Sequence, residues 1–291
     1  MKLEELIYRQ FVCSGELTRH LATFAKLPAV FSPEAPDDGQ EGWGGQTQYP
    51  QIVFNFDMQA NEERKSVGTL SVDLLCQNTA DVSPETIEPE VRSCLRDVLL
   101  KPEGDSMYAF TWARTDSFSM QEKKHDLVIG SEIRFDIHEY VHQETTDPDP
   151  IAAVDQYIKK LYPDCVVAGL DRMGDVTRAS VAAPVVYNAL TSVERGRETN
   201  TVVWMDGKIA VHILCPDSSV RMKMAADLAN QMSLDGEIIL LDHSPMTIRR
   251  LQVDHQSDYL KDGQIFMTVN YGLLRYRAKP HEMQGTGFNY G

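Results

Sequence analysis

The five cysteines (Cys13, Cys76, Cys94, Cys165, Cys215) form no CxxC pair. Their odd number, with no secretory leader in the opening MKLEELIYRQF, reads as reduced cytosolic thiols rather than a disulfide framework. No apolar run approaches the ~20 residues that a membrane-spanning helix needs. There is no G-x-S-x-G nucleophile elbow and no phosphate-binding G-x-x-x-x-G-K-[ST]. Positive charge is scarce: 28 Lys and Arg face 43 Asp and Glu, a net charge of −15. That balance excludes a general phosphate-neutralising groove for DNA, while a surface that DNA slides past without sticking remains open. The deficit is uneven. Residues 1–145 carry 13 basic against 25 acidic side chains, and residues 146–291 carry 15 against 18.

What is present is an ordinary globular composition, 42% hydrophobic and 24% charged. A chain of 291 residues is long for one core and comfortable for two. Lys65–Cys76, KSVGTLSVDLLC, alternates with a period of two and reads as a strand, followed by turn and helix-start residues. About 140 residues later Lys208–Cys215, KIAVHILC, repeats the form. Leu-Leu-Cys-Gln-Asn-Thr and Ile-Leu-Cys-Pro-Asp-Ser stand at matching places.

Around that echo the chain divides into two similar halves. Leu3, Leu6, Ile7 and Phe11 predict an opening helix, with Leu17, Leu21 and Phe24 continuing its stripe. Ser32–Tyr49, rich in Pro, Gly and acid, reads as a long mobile loop. Pro50–Met58 predicts a strand that pairs antiparallel with the organising strand. Ser83-Pro84 starts a helix with the stripe Ile87, Val91, Leu95, Val98 and Leu99. Met107–Phe118 and Asp126–Val141 follow as strands. Thr145–Pro150 reads as a linker. The second half repeats the order: helix Ile151–Leu161, strands Ala183–Val193 and Thr201–Cys215 (the latter broken by a turn at Met205-Asp206-Gly207), then a helix capped by Ser218 or Ser219. Strands Glu237–Leu241 and Met246–Val253 and a closing pair within Tyr259–Tyr276 end it. The expected fold is therefore α+β, with two tandem similar domains, 1–145 and 146–277, each an antiparallel sheet with helices packed on one face. Residues 278–291 read as an extended arm.

The sharpest chemical motif is His138-Glu139-Tyr140-Val141-His142, which matches the zinc-protease H-E-x-x-H. On a helix its histidines share a face. Here a period-2 segment precedes it, and on a strand the two histidines stand ~13 Å apart, too far to clasp one ion. It is read as a decoy, with no metal, no cofactor and no catalytic residue assigned; a zinc hydrolase is the remote alternative. Gly42–Gly45 lacks the Lys-Ser/Thr of a phosphate cradle. Trp43, Arg249, Arg250, Arg275, Arg277, Phe288 and Tyr290 are the candidate subunit-interface residues.

Tyr49-Pro50-Gln51-Ile52-Val53-Phe54, Gly68–Leu75, Ile87-Glu88-Pro89-Glu90-Val91, Asp126–Gly130 and Arg134-Phe135-Asp136-Ile137, in this order, resemble the phage tail terminator or tail-completion proteins. The resemblance covers residues 1–140, and the second half follows by element order. It implies a structural, non-enzymatic virion protein, assembled in the host bacterial cytoplasm. Such a protein forms a homo-oligomeric ring that caps the tail tube and joins it to the neck. A hexamer is the leading stoichiometry, with a trimer of two-domain chains as another. Implied partners are the tail tube protein, sheath and neck or connector proteins, with DNA passing through the lumen unbound. Another connector or baseplate component is the alternative.

Overall fold

A computed structural model describes residues 1–37, 39–45, 47–78, 82–121, 127–142 and 147–275. Among these residues the first half contains α1 (Leu3–Val12), α2 (Gly15–Thr18), β1 (Thr23–Phe24), β2 (Leu27–Pro28), β3 (Val30–Phe31), β4 (Gln51–Asp57) and β5 (Gly68–Gln77). It continues with α3 (Pro84–Leu95), β6 (Val98–Leu100), β7 (Ser106–Gln121) and β8 (Leu127–Val141). The second half contains α4 (Pro150–Leu161), β9 (Val166–Val167), β10 (Val176–Arg178), β11 (Val185–Glu198) and β12 (Val202–Leu214). It closes with α5 (Ser218–Asp235), β13 (Glu237–Ile239), β14 (Pro245–Val253) and β15 (Ile265–Leu274). The fold is α+β, with most of the structure in strands.

The strands form two large sheets and a small β1–β2 hairpin. One sheet runs β10-β6-β7-β8-β5-β4-β3, the other β13-β14-β15-β12-β11-β9. The expectation of purely antiparallel sheets is corrected at the edges. β3 pairs parallel with β4, and β9 parallel with β11. A two-residue strand has no periodicity to read: β3 gave no signal, and β9 falls in Pro163–Ala182, which reads only as a loop or weak strand. β10, from the second half, adds to the first sheet by pairing with β6.

β5 is central, between β4 and β8, and its residues alternate strictly between buried and half-buried. Leu70, Val72, Leu74 and Cys76 face the first core, where α1 and α3 cover them. α1 contributes Leu6, Ile7 and Phe11, fully buried, each worth ~1.5–3 kcal/mol of transfer free energy. The Phe11 ring meets Phe54 of β4 edge-on at 5.8 Å. The second core is built the same way from α4, α5 and the facing side of the second sheet, including Val154, Ile158, Ile209, Val211 and Leu228. A third cluster lies between the sheets. Leu99, Met107, Ala109 and Tyr140 meet Val185, Tyr187, Leu214 and Leu260 there, and no helix enters it. The layers are therefore helices, sheet, sheet, helices. This explains why the second half of β12 is buried on both faces.

Several local expectations change for physical reasons. The opening helix does not continue past Ser14. The Ser14 hydroxyl accepts from the Leu17 N–H and starts the separate turn α2. α3 begins with Ser83 at N-cap and Pro84 at N1 as expected, but it ends at Leu95. Asp97 has φ +53°, and Val98 and Leu99 are buried in β6 rather than on the helix. β12 runs unbroken through Met205-Asp206-Gly207, because ladders on both sides hold it and the Asn270 amide donates to Asp206 Oδ1 at 2.8 Å. The cap of α5 is Asp217, which accepts from Ser219 and Val220 N–H, not Ser218 or Ser219. In the expected linker, Asp149 and Pro150 are instead the N-cap and N1 of α4. Residues 145–146, and with them the expected domain boundary, lie outside the described residues. Tyr259–Tyr276 supplies one strand, β15, not a pair. The loop before it clamps the halves: the Tyr259 hydroxyl donates to Asp97 Oδ1 at 2.7 Å, and Lys65 bonds Asp262.

Candidate functional site

His138–Val141 of the H-E-x-x-H segment end β8, in register with β7, and His142 follows directly, so the segment is strand and not helix. His138 is buried, and both ring nitrogens have neighbours. Nδ1 lies 3.3 Å from the Lys65 carbonyl oxygen and Nε2 lies 3.1 Å from Thr111 Oγ1. Burial holds its pKa below the ordinary imidazole value. Glu139 is exposed and accepts from the Tyr108 hydroxyl at 3.3 Å. Among the described residues, no group of three His, Cys, Asp or Glu side chains is placed to hold a metal.

His142, in contrast, reaches a cleft between the halves. This cleft, of about 70 Å³, is lined by Met107, His142, Asp149, Asp155, Gly169, Tyr187 and Asn188 among others. Asp155 stands on α4 beside Val154 and Ile158, and only 5% of it is exposed. Its Oδ1 accepts from the Asn188 amide at 2.6 Å. Burial pushes its pKa from the ordinary 3.8 up to about 7; the Asn188 hydrogen bond opposes that shift, and the charges of Asp149 and Asp171 add to it. The nearby cation Lys159 is already committed, to Asp171 Oδ2 at 2.9 Å and to the Cys165 carbonyl at 2.7 Å. Asn188 Oδ1 is buried and has no hydrogen-bond partner. Gly169 takes φ +100° and brings its backbone close to both His142 and Asp155. A Cβ there would stand 3.4 Å from His142 Nδ1 and 3.5 Å from Asp155 Oδ2.

Sequence reasoning missed Asp155 and Asn188. The signal for Asp155 was available: it lies four residues after Ile151 and three before Ile158, on the apolar face of α4. A carboxylate inside a buried stripe is the kind of exception that marks a site.

The expected interface residues are scattered. Trp43 is 3% exposed and packs within the chain, its ring 4.9 Å from Phe24 and 5.7 Å from Phe31, with Nε1 donating to the Asp37 carbonyl. Trp43 thus anchors the 32–49 loop to the β1–β3 region from within the chain. Arg249 and Arg250 are both exposed on β14, because the register slips between Ile248 and Arg250 and two successive side chains escape the usual alternation. Arg275 bonds Glu198 Oε2. Arg277, Phe288 and Tyr290, and the arm 278–291, lie outside the described residues.

No protein-family model matches the sequence, and a search of curated proteins finds no match. No helix among the described residues is long and apolar enough to cross a membrane.

Proposed function

We propose that this chain is a structural subunit of a phage or phage-like tail, built from two tandem copies of one module. Its copies would close into a ring that caps the tail tube and joins it to the neck. The observation that carries the reading is the paired strand order. β6-β7-β8-β5-β4-β3 and β13-β14-β15-β12-β11-β9 correspond position by position, down to the short parallel strand at one end and the short antiparallel strand at the other. β5 and β12, which carry the repeated apolar-apolar-Cys ending, occupy the same place in the two orders. Each module keeps the helix, hairpin, helix, hairpin sequence of the tail terminator resemblance.

Open edges support assembly. Among the described residues, β6 pairs with β7 only at Tyr108, and β13 pairs with β14 only over Pro245–Thr247. The remaining edges of β7 and β14 have free backbone groups that a neighbouring subunit can pair with, and a heterologous contact repeated by rotation closes a ring. Arg249 and Arg250 place positive charge on one such edge of an acidic chain, which suits contact with another copy. The net charge of −15 suits a lumen that DNA crosses without binding.

Mass photometry and negative-stain imaging of the purified chain, alone and with tail tube protein, test the reading. A discrete ring-shaped species is expected, with hexamer mass first among the alternatives. A strict monomer in both samples overturns it.

A further inference from the structure

We propose that residues 276–291 of one copy of the chain seat in the groove between α1 and β3 of a neighbouring copy, a contact that rests on the ring reading above.

The chain leaves the second sheet far from the junction of the halves. Contacts that join the halves gather before β15 begins, at Tyr259 with Asp97, Leu260 with Tyr140 and Asp262 with Lys65. β15 then runs for ten residues, roughly 30 Å at the strand rise, to Leu274, which is 76% exposed. The sixteen residues after Arg275 span up to about 50 Å when extended. Starting from the far end of the second half, that reach is enough to cross to another subunit.

The groove and the segment carry opposite charge. The groove is lined by Glu4, Glu5 and Glu34, with Arg9 the only basic side chain in its lining. Two other grooves of comparable size set one Lys against two carboxylates, and a third sets two Arg against one Asp, so this one is the most acidic of the four. Residues 276–291 bring Arg277 and Lys279 against Glu282 alone, a local excess of positive charge in a chain of net charge −15.

Shape agrees with charge. At about 560 Å³ the groove falls within the ~300–1,000 Å³ of built binding sites. Tyr8 and Phe31, both half-buried, line it and offer apolar surface to Phe288 and Tyr290 of the incoming segment. β3 is the last strand of its sheet, so its outer edge is open to an added extended segment.

The test uses the full chain carrying a benzophenone photo-crosslinker in place of Phe288, mixed with ¹⁵N-labelled parent chain and tail tube protein. After irradiation, peptide mass spectrometry should join the unlabelled segment to labelled peptides from residues 1–9 and 30–34. Glu34→Lys, at an exposed position, and the pair Arg277→Glu with Lys279→Glu should each lower that yield roughly threefold or more. Cross-links confined to one copy, cross-links to other surfaces, or a yield that neither change lowers overturn the proposal. Mass photometry of the same samples separates the two failures. Rings without the groove cross-link overturn this contact alone, and a strict monomer overturns the ring reading with it.

Discussion

The Tyr140 hydroxyl on β8 donates to the Leu260 carbonyl at 2.6 Å, joining residues 120 apart in sequence. Tyr140 is fully buried between the sheets, against Tyr187 at 4.7 Å and His212 at 5.5 Å. The Tyr187 hydroxyl returns the contact by donating to the Val141 carbonyl at 2.9 Å. The two halves are thus held by apolar packing with a few directed polar bonds inside it. Arg178 of β10 adds to them at the rim, reaching the Ser93 and Cys94 carbonyls at the C-terminal end of α3.

Tyr140→Phe keeps the ring and removes the donor, leaving a buried carbonyl unpaired. The expected loss is about 1–3 kcal/mol of unfolding free energy, read from the urea midpoint at constant slope. An unchanged midpoint would mean that water reaches Leu260 and the contact between the halves is loose.

Gly42 stands against the Phe24 ring, and any Cβ there would run into it. Phe24 cannot withdraw freely, because Phe31 and Trp43 pack on it. Gly42→Ala should therefore disrupt the aromatic cluster at a cost of about 1–3 kcal/mol. Trp43 fluorescence should shift to the red as the indole meets water, while far-UV circular dichroism stays close to the parent.

Where the sequence was legible, the reason is periodicity. β5 alternates over ten residues, α1 and α4 place apolar side chains three and four apart, and Ser83-Pro84 fits the start of a helix. Where it was not, longer-range contacts decided. Asp206-Gly207 has the composition of a turn, yet strands on both sides hold it extended. The loop between β14 and β15 has no pattern, and its role comes from Tyr259 and Asp262 reaching across to the first half. The cleft lined by His142, Asp155 and Asn188 is assembled from the residue after β8, from α4, from β11 and from the Gly169 turn, so no single segment announces it.

Arg249 and Arg250 offer a test of the ring edge. On an open strand such charges deter unspecific pairing, and in the proposed ring they would face an acidic neighbour. Replacing both with Glu adds repulsion at each contact around the ring. The expected outcome is a shift from ring to monomer at low salt, partly recovered at high salt by screening, with the monomer's Tm within a few degrees of the parent. A ring population indifferent to both the substitutions and salt would place the contact at another edge.

Two buried groups give opposite pH dependences, and substitution separates them. His212 lies against Tyr140 and Tyr187, with Nδ1 2.9 Å from the Tyr259 carbonyl oxygen, and burial lowers its pKa. Asp258, Asp262 and His138 are its charged or titratable neighbours, the first two favouring its protonated form and His138 opposing it. The unfolded chain takes up that proton first, near pH 6.5. Stability from neutral His212 is therefore present above that pH and falls as acid is added. Asp155, facing Asn188, His142, Asp149 and Asp171, is raised to about 7 from 3.8. Its native state holds a proton that the unfolded chain releases near pH 4. Its contribution is complete below that value and is lost as pH rises through about 7, an effect of roughly 2–4 kcal/mol. Asp155→Asn should accordingly be more stable than the parent at pH 8, with the gain shrinking toward pH 5. His212→Gln should flatten the loss on the acid side instead. Urea midpoints from pH 5 to pH 8 for the parent and both variants read the two slopes directly, and a parent curve that Asp155→Asn leaves unaltered would mean that solvent already relieves this carboxyl.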